Sequence, residues 1–162
     1  DGIPWAKSWT DGQIVDKSLS IYSLKVTIEY ETKPSRNPLV FGTVLFSFAW
    51  NILLMVGVIL NLGFSHTRAA GGQFTDFPSA IRVLYVLQLV LVVYQVWIFK
   101  LIFHTEPIRL KWLPRFFVIV GIIGILVNAV SRSSNERWNV IPAGIITWAF
   151  WYYGVKRGKS GL

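Results

Sequence analysis

The side chains best suited to chemistry in this chain are amides that recur at helical spacing inside apolar stretches. Steps of three and four residues place Asn51 and Asn61 on one helical face, and Gln88 and Gln95 on another. Because polar groups are costly to expose to lipid, we expect these faces to point toward neighbouring helices. We call the whole set the polar seam, and it is predicted to comprise Asn51, Asn61, Arg82, Tyr85, Gln88, Gln95, Asn128, Thr147 and Trp151.

The polar seam has two interpretations. Its amides can form hydrogen bonds between helices, each worth about 0.5–2 kcal/mol. Alternatively, amides and aromatic rings can line a cavity that holds a lipid-like or small neutral ligand. Arg82, about one turn into its stretch, can extend to the lipid headgroups, bind an anionic headgroup, or pair with Asp76 or Glu136.

Groups that perform nucleophilic, acid–base or metal chemistry are sparse. The chain contains no cysteine, which excludes thiolate chemistry, disulfides and cysteine-based metal sites. The two histidines, His66 and His104, follow successive apolar stretches and are therefore predicted on opposite membrane faces. None of the eight acids lies inside an apolar stretch, which disfavours a proton-coupled pump. Arg132, Glu136 and Arg137 are expected to form local ion pairs. We expect no enzymatic activity, no metal site and no cofactor.

Four long apolar stretches must position these side chains. Hydrophobic residues make up 53% of the 162 residues and charged ones 15%, and the charges cluster between the apolar runs. Such a short chain cannot bury several helices that are apolar on all sides, and about 20 apolar residues suffice to cross a bilayer. The fold class is therefore predicted as an all-α membrane protein, a four-helix transmembrane bundle within residues 39–157. The predicted spans are 41–64, 79–103, 113–130 and 140–155.

The N-terminal segment, residues 1–38, is polar and is treated as a separate region. Apolar and polar residues alternate within 20–32, which is typical of a β-strand. A single strand needs a partner, so we expect it to pair with residues 12–15, with a partner chain (another protein or a second copy), or with a part of the protein upstream of residue 1. Alternatively, the segment lies on the membrane surface, where Trp5 and Trp9 suit the interface. Residues 158–162 are treated as a tail.

Basic residues set the predicted orientation of the bundle. The net charge is +8, but the lysines and arginines flank the apolar stretches instead of forming a patch for nucleic acid, so no nucleic-acid partner is expected. The positive-inside rule predicts that both termini are cytoplasmic. A basic cluster at that face attracts anionic lipid headgroups at about 1 kcal/mol per charge. It consists of Arg109, Lys111, Arg115, Lys156 and Arg157.

Two functions from different classes fit this pattern. The first is a non-catalytic membrane protein that acts by association, as an accessory or assembly subunit of a membrane complex. The absence of catalytic groups from the spans and the single strand at 20–32 favour it. The alternative is a binder or transporter of a lipid or small apolar ligand through the polar seam.

Overall fold

Every regular element that the structure describes is helical. A computed structural model of the chain describes residues 37–104 and 112–156. The chain divides into two units, Asp1–Arg36 and Asn37–Leu162, and the described helices belong to the second. The predicted strand at 20–32 and the tail at 158–162 lie outside the described residues.

Four long helical segments follow one another along the chain, with short helices in two of the connections. The elements are α1 Pro38–Ile59, α2 Gly63–His66, a 3-10 turn Ala70–Gly72, α3 Ser79–His104, α4 Leu113–Ala129, α5 Ser134–Arg137 and α6 Val140–Ala149. A π-helix, Phe150–Lys156, directly continues α6.

Two of these helices, α1 and α3, are long and apolar enough to cross a membrane. Each has a mean hydropathy of 2.1 over its most apolar window, and only 22% of that window is buried. The helix α4 is also apolar but has 17 residues. The fourth apolar stretch is divided between the ten residues of α6 and the seven of the π-helix.

The end of α1 is fixed by a residue with left-handed backbone geometry. Asn61 has φ 56°, a region that asparagine tolerates better than most residues. The Leu62 N–H donates to the Gly57 carbonyl at 2.8 Å, and the Asn61 N–H donates to the Val58 carbonyl at 3.1 Å. This pair of bonds is a Schellman motif, which terminates a helix. The helix α1 therefore ends short of the predicted boundary at residue 64.

The bundle packs around α1 and a group of buried aromatic rings. The helix α1 packs against α3 on one side and α6 on the other, and α4 packs against α6 and the π-helix. Phe48, Phe99, Phe117 and Phe150 are fully buried at the centre. The rings of Phe117 and Phe150 lie 4.9 Å apart, which joins α4 to the π-helix. Three pairs of long helical segments therefore pack together: α1 with α3, α1 with α6, and α4 with α6 and its π-helical continuation. In contrast, α3 and α4 have no extensive backbone contact.

Residues 60–78 and 130–139 together form what we call the cap, which covers one end of the bundle. The Asn139 side-chain amide donates to the Arg68 carbonyl at 3.1 Å, and the Ser133 hydroxyl donates to the Thr67 carbonyl. The Trp50 indole N–H of α1 donates to Asn139 Oδ1 at 3.1 Å. The two connections therefore lie at the same end and are tied to each other and to α1.

Candidate functional site

Three members of the predicted polar seam bond to their own helices. The Asn51 amide donates to the Ser47 carbonyl at 2.9 Å, and the Asn128 amide donates to the Gly124 carbonyl at 2.9 Å. The Thr147 hydroxyl donates to the carbonyl four residues earlier, at 2.7 Å. For these three residues, backbone carbonyls within one turn take up the donors, and none of the hydrogen bonds described for them runs between helices.

Two further members, Asn61 and Arg82, lie at the cap. The Asn61 amide donates to Asp76 Oδ1 at 2.6 Å, and its own carbonyl oxygen accepts from the Phe77 N–H at 3.0 Å. Arg82 forms an ion pair with Asp76 at 2.9 Å and donates to the Phe77 carbonyl at 2.9 Å. Of the three roles considered for Arg82, the structure thus contains the pairing with Asp76. The exposed pair contributes about 0–1 kcal/mol.

Trp151 lies on the outer surface of the π-helix. Its side chain is 44% exposed, and the Lys156 ammonium lies 5.7 Å from its ring centroid. Lys156 and Arg115, two members of the predicted headgroup cluster, are exposed at the end of the bundle opposite the cap. Arg109, Lys111 and Arg157 lie outside the described residues.

Gln88 and Gln95 retain the helical relationship that the sequence indicates. They are seven residues apart on α3, so the same face of the helix carries both, about 10 Å apart along its axis. Gln95 is 7% exposed, whereas Gln88 is exposed. Within the described segments, neither side-chain amide forms a hydrogen bond. Gln88 is therefore the seam amide that remains available for another molecule, whereas Gln95 is buried in the bundle.

A recess of about 390 Å³ lies between α3 and α4. The two helices touch through Tyr94 and Phe117, whose ring centroids are 6.0 Å apart, and the recess lies between this contact and the cap. Its apolar walls include Leu84 of α3 and Val127 of α4, which are 52% and 59% exposed. Because these walls are half exposed, the recess opens sideways, and Gln88 lies on its edge.

The end of the recess nearest the cap is polar. Glu136 is 7% exposed, and its Oε2 accepts from the Gly71 N–H at 2.7 Å and from the Ser131 hydroxyl at 2.5 Å. Hydrogen bonds to an ionised acceptor are strong, so this carboxylate is firmly held. Tyr85 and Arg132 line the same recess.

The ion pairs expected between Glu136 and its neighbouring arginines do not form. Among the described residues, the only ion pair is that between Arg82 and Asp76. Arg137 instead donates to the Ser131 carbonyl at 2.8 Å. The reason is that the Glu136 side chain points toward the connection at 60–78, where its carboxylate accepts from the Gly71 N–H.

Sequence reasoning did not identify Glu136, Gly71 or Ser131 as parts of a site. The available signal was Gly71-Gly72, since two adjacent glycines allow a backbone turn that brings an N–H close to a side chain. Both glycines have positive φ, 75° and 67°. The acid that the Gly71 N–H meets is 65 residues away along the chain, and no local pattern connects the two.

No cluster of three or more histidine or acidic side chains suitable for a metal ion occurs in 37–104 or 112–156. The side chains that line the recess let its polar end accept and donate hydrogen bonds, while its walls can hold an apolar chain.

Protein-family models, curated proteins and solved structures were each compared with the chain, and none of them matches it.

Proposed function

We propose that this protein is an integral membrane protein that binds a lipid-like amphiphile in the recess between α3 and α4. The observation that carries the proposal is the recess itself, which joins apolar walls to a polar end and opens sideways. Its volume lies within the range of about 300–1,000 Å³ that is typical of small-molecule sites.

The surface of the bundle supports placement in a bilayer with four spans. Large apolar side chains are exposed along α3 and α4, such as Val90 at 65% and Ile119 at 58%. Exposed apolar area of this extent is unusual on a water-soluble monomer. The cap gathers the first and third connections at one end, as four antiparallel spans require. On this proposal both termini face the cytoplasm, because the lysines and arginines concentrate on that side in the sequence.

The direction of the opening supports a ligand that arrives from the bilayer. A molecule already in the membrane reaches Leu84 and Val127 without passing through water, so its apolar part stays in an apolar environment throughout. The polar end at Glu136 is part of the cap, which this topology places at the level of the lipid headgroups. A molecule with a polar head and an apolar tail therefore matches both ends.

Filling the recess tests this proposal. In Leu84→Trp the larger side chain occupies the recess, so retention of a photoactivatable fatty-acyl lipid should fall roughly tenfold, equivalent to about 1.4 kcal/mol. Crosslinking to purified protein in nanodiscs measures it. Val83→Trp is the matched control, since Val83 is 60% exposed on the same helix but does not line the recess. Equal crosslinking of both variants would contradict lipid binding at this site.

A second candidate is association with another membrane protein, as an accessory or assembly subunit. The exposed Gln88 amide favours it, because an amide in lipid gains from a hydrogen bond to a neighbouring helix. If α3 associates in this way, Gln88→Leu should abolish a partner or second copy that co-purifies with the protein. Loss of lipid with no change in assembly argues against it. Pairing through residues 20–32 remains a prediction.

A further inference from the structure

The polar end of the recess combines a carboxylate and a guanidinium that do not pair with each other. Building on the proposed lipid binding, we propose that the recess recognises a zwitterionic phospholipid headgroup that carries a primary ammonium and a phosphate. The ammonium donates to Glu136 and the phosphate accepts from Arg132. Both side chains line the recess.

Glu136 supplies the acceptor for the ammonium. Its Oε2 already receives two hydrogen bonds, from Gly71 and Ser131. Its Oε1 receives none within the described residues, where no fully buried side-chain polar atom lacks a partner. Oε1 is therefore accessible rather than sealed. A carboxylate that is 7% exposed and forms no ion pair within the described residues gains most from a ligand that brings both a positive charge and N–H donors.

Arg132 supplies the donors for the phosphate. Its side chain is exposed, and within the described part of the chain it makes no hydrogen bond or ion pair. A guanidinium binds phosphate through two parallel N–H···O bonds. Arg132 and Glu136 are four residues apart and border the same recess, so one headgroup with adjacent charges can reach both.

The apolar walls accommodate a tail that continues from this headgroup. Ile81 and Leu84 lie on α3, and Val127 and Val130 lie on the facing side at α4. These walls lie between the polar end and the Tyr94–Phe117 contact, where the two helices meet. One acyl chain along this path occupies the recess while its headgroup stays at the cap.

The same chemistry disfavours the other common headgroups. A trimethylated ammonium keeps the positive charge but has no N–H to donate to Glu136. A purely anionic headgroup places a negative charge near the Glu136 carboxylate, which is unfavourable in a poorly solvated site. Selectivity therefore depends on the donor protons of the ammonium, and binding of the phosphate depends on Arg132.

Competition between two lipids tests the inference. The full chain is equilibrated in vesicles with equal amounts of phosphatidylethanolamine and phosphatidylcholine, and the lipids retained after extraction are measured by native mass spectrometry. We expect a preference for phosphatidylethanolamine of about tenfold, since tenfold corresponds to about 1.4 kcal/mol. In Glu136→Gln the ratio should approach one, because retention of phosphatidylethanolamine falls toward that of phosphatidylcholine. In Arg132→Gln retention of both lipids should fall, whereas Arg115→Gln, at the opposite end of the bundle, should change neither quantity.

The outcomes separate this inference from the proposed function. If the wild-type ratio is near one, or if Glu136→Gln keeps the preference, the headgroup assignment is overturned even when Leu84→Trp still displaces lipid. If Leu84→Trp displaces nothing, lipid binding in the recess fails as a whole. Should Glu136→Gln fail to fold, Arg132→Gln decides, because that side chain is exposed and its unchanged retention would overturn the assignment.

Discussion

At Gly121 the backbone of α4 comes so close to α6 that no side chain fits between them. A Cβ atom at this position would overlap the Thr147 hydroxyl and would lie 3.0 Å from Thr147 Cβ. One turn later, a Cβ at Gly124 would meet nothing within 4 Å. Small residues at such contacts allow membrane helices to pack through dispersion forces. The two glycines of α4 therefore have different roles, although they lie only one turn apart.

Alanine substitution distinguishes these two glycines. Gly121→Ala forces Thr147 away and should lower the free energy of unfolding by about 1–3 kcal/mol. Gly124→Ala should be neutral or stabilising by up to about 1 kcal/mol, because alanine favours the helix. Unfolding with sodium dodecyl sulfate in mild detergent measures both. Adding Thr147→Ala to Gly121→Ala should recover part of the loss, and a purely additive double variant would contradict the contact.

Asn61 combines a backbone role with a side-chain role. It ends α1 with a positive φ, and its amide holds Asp76 and the Phe77 N–H. Asn61→Ala loses both roles, while Asn61→Gly keeps the backbone geometry and loses only the side-chain bonds. We expect the alanine variant to be less stable than the glycine variant by about 1 kcal/mol, the cost of left-handed geometry for a residue with a Cβ. Thermal unfolding in detergent compares them, and equal midpoints would argue against a left-handed turn.

At the scale of elements, the cap is held mainly by Asn139. Its amide joins the Arg68 carbonyl of one connection to the Trp50 indole of α1, and its side chain is buried at 6% exposure. A single side chain therefore links three segments that are distant in sequence. Removing it leaves the partly buried Trp50 N–H donor and the partly buried Arg68 carbonyl without these partners.

We expect Asn139→Ala to destabilise the cap by about 1–3 kcal/mol, the cost of leaving buried polar groups unsatisfied. Amide hydrogen exchange within 63–72 should rise more than exchange at the centre of α3. Asn135→Ala is the control, since Asn135 is an exposed asparagine in the same connection. An equal rise in both variants would show that Asn139 is not the link.

The sequence predicts the long helices well because they are determined by local composition. The structure places α3 at Ser79–His104 and α4 at Leu113–Ala129, within one residue of the predicted stretches. The sequence could not predict the hydrogen-bond partner of each amide. Asn51 and Asn128, like Gln88, lie at helical spacing from other polar residues within an apolar stretch. Their amides nevertheless bond to their own helices, whereas Gln88 borders a recess. The recess at Gln88 depends on the distance between α3 and α4, and the local sequence does not determine that distance.

At the scale of the whole molecule, the proposed topology places the cap and the opposite end on different sides of the membrane. Because the chain has no cysteine, each introduced cysteine reports a single position. We expect Thr75→Cys and Ser134→Cys to react with a membrane-impermeant maleimide from outside the cell. Arg115→Cys and His104→Cys should react only after the membrane is opened. Labelling of Thr75 and Ser134 from different sides would contradict the four-span arrangement.

The cap also has a consequence for the order in which the molecule is assembled. Its bonds join Gly71 to Glu136 and Trp50 to Asn139, residues 65 and 89 positions apart. During synthesis the hairpin of α1 and α3 is complete well before Glu136 and Asn139 are made. The Gly71 N–H therefore lacks its Glu136 acceptor until the hairpin of α4 and α6 is formed. Closure of the cap is thus a late step that marks completion of the bundle. A chain that stops after His104 should show fast hydrogen exchange at Gly71, and the full chain slow exchange.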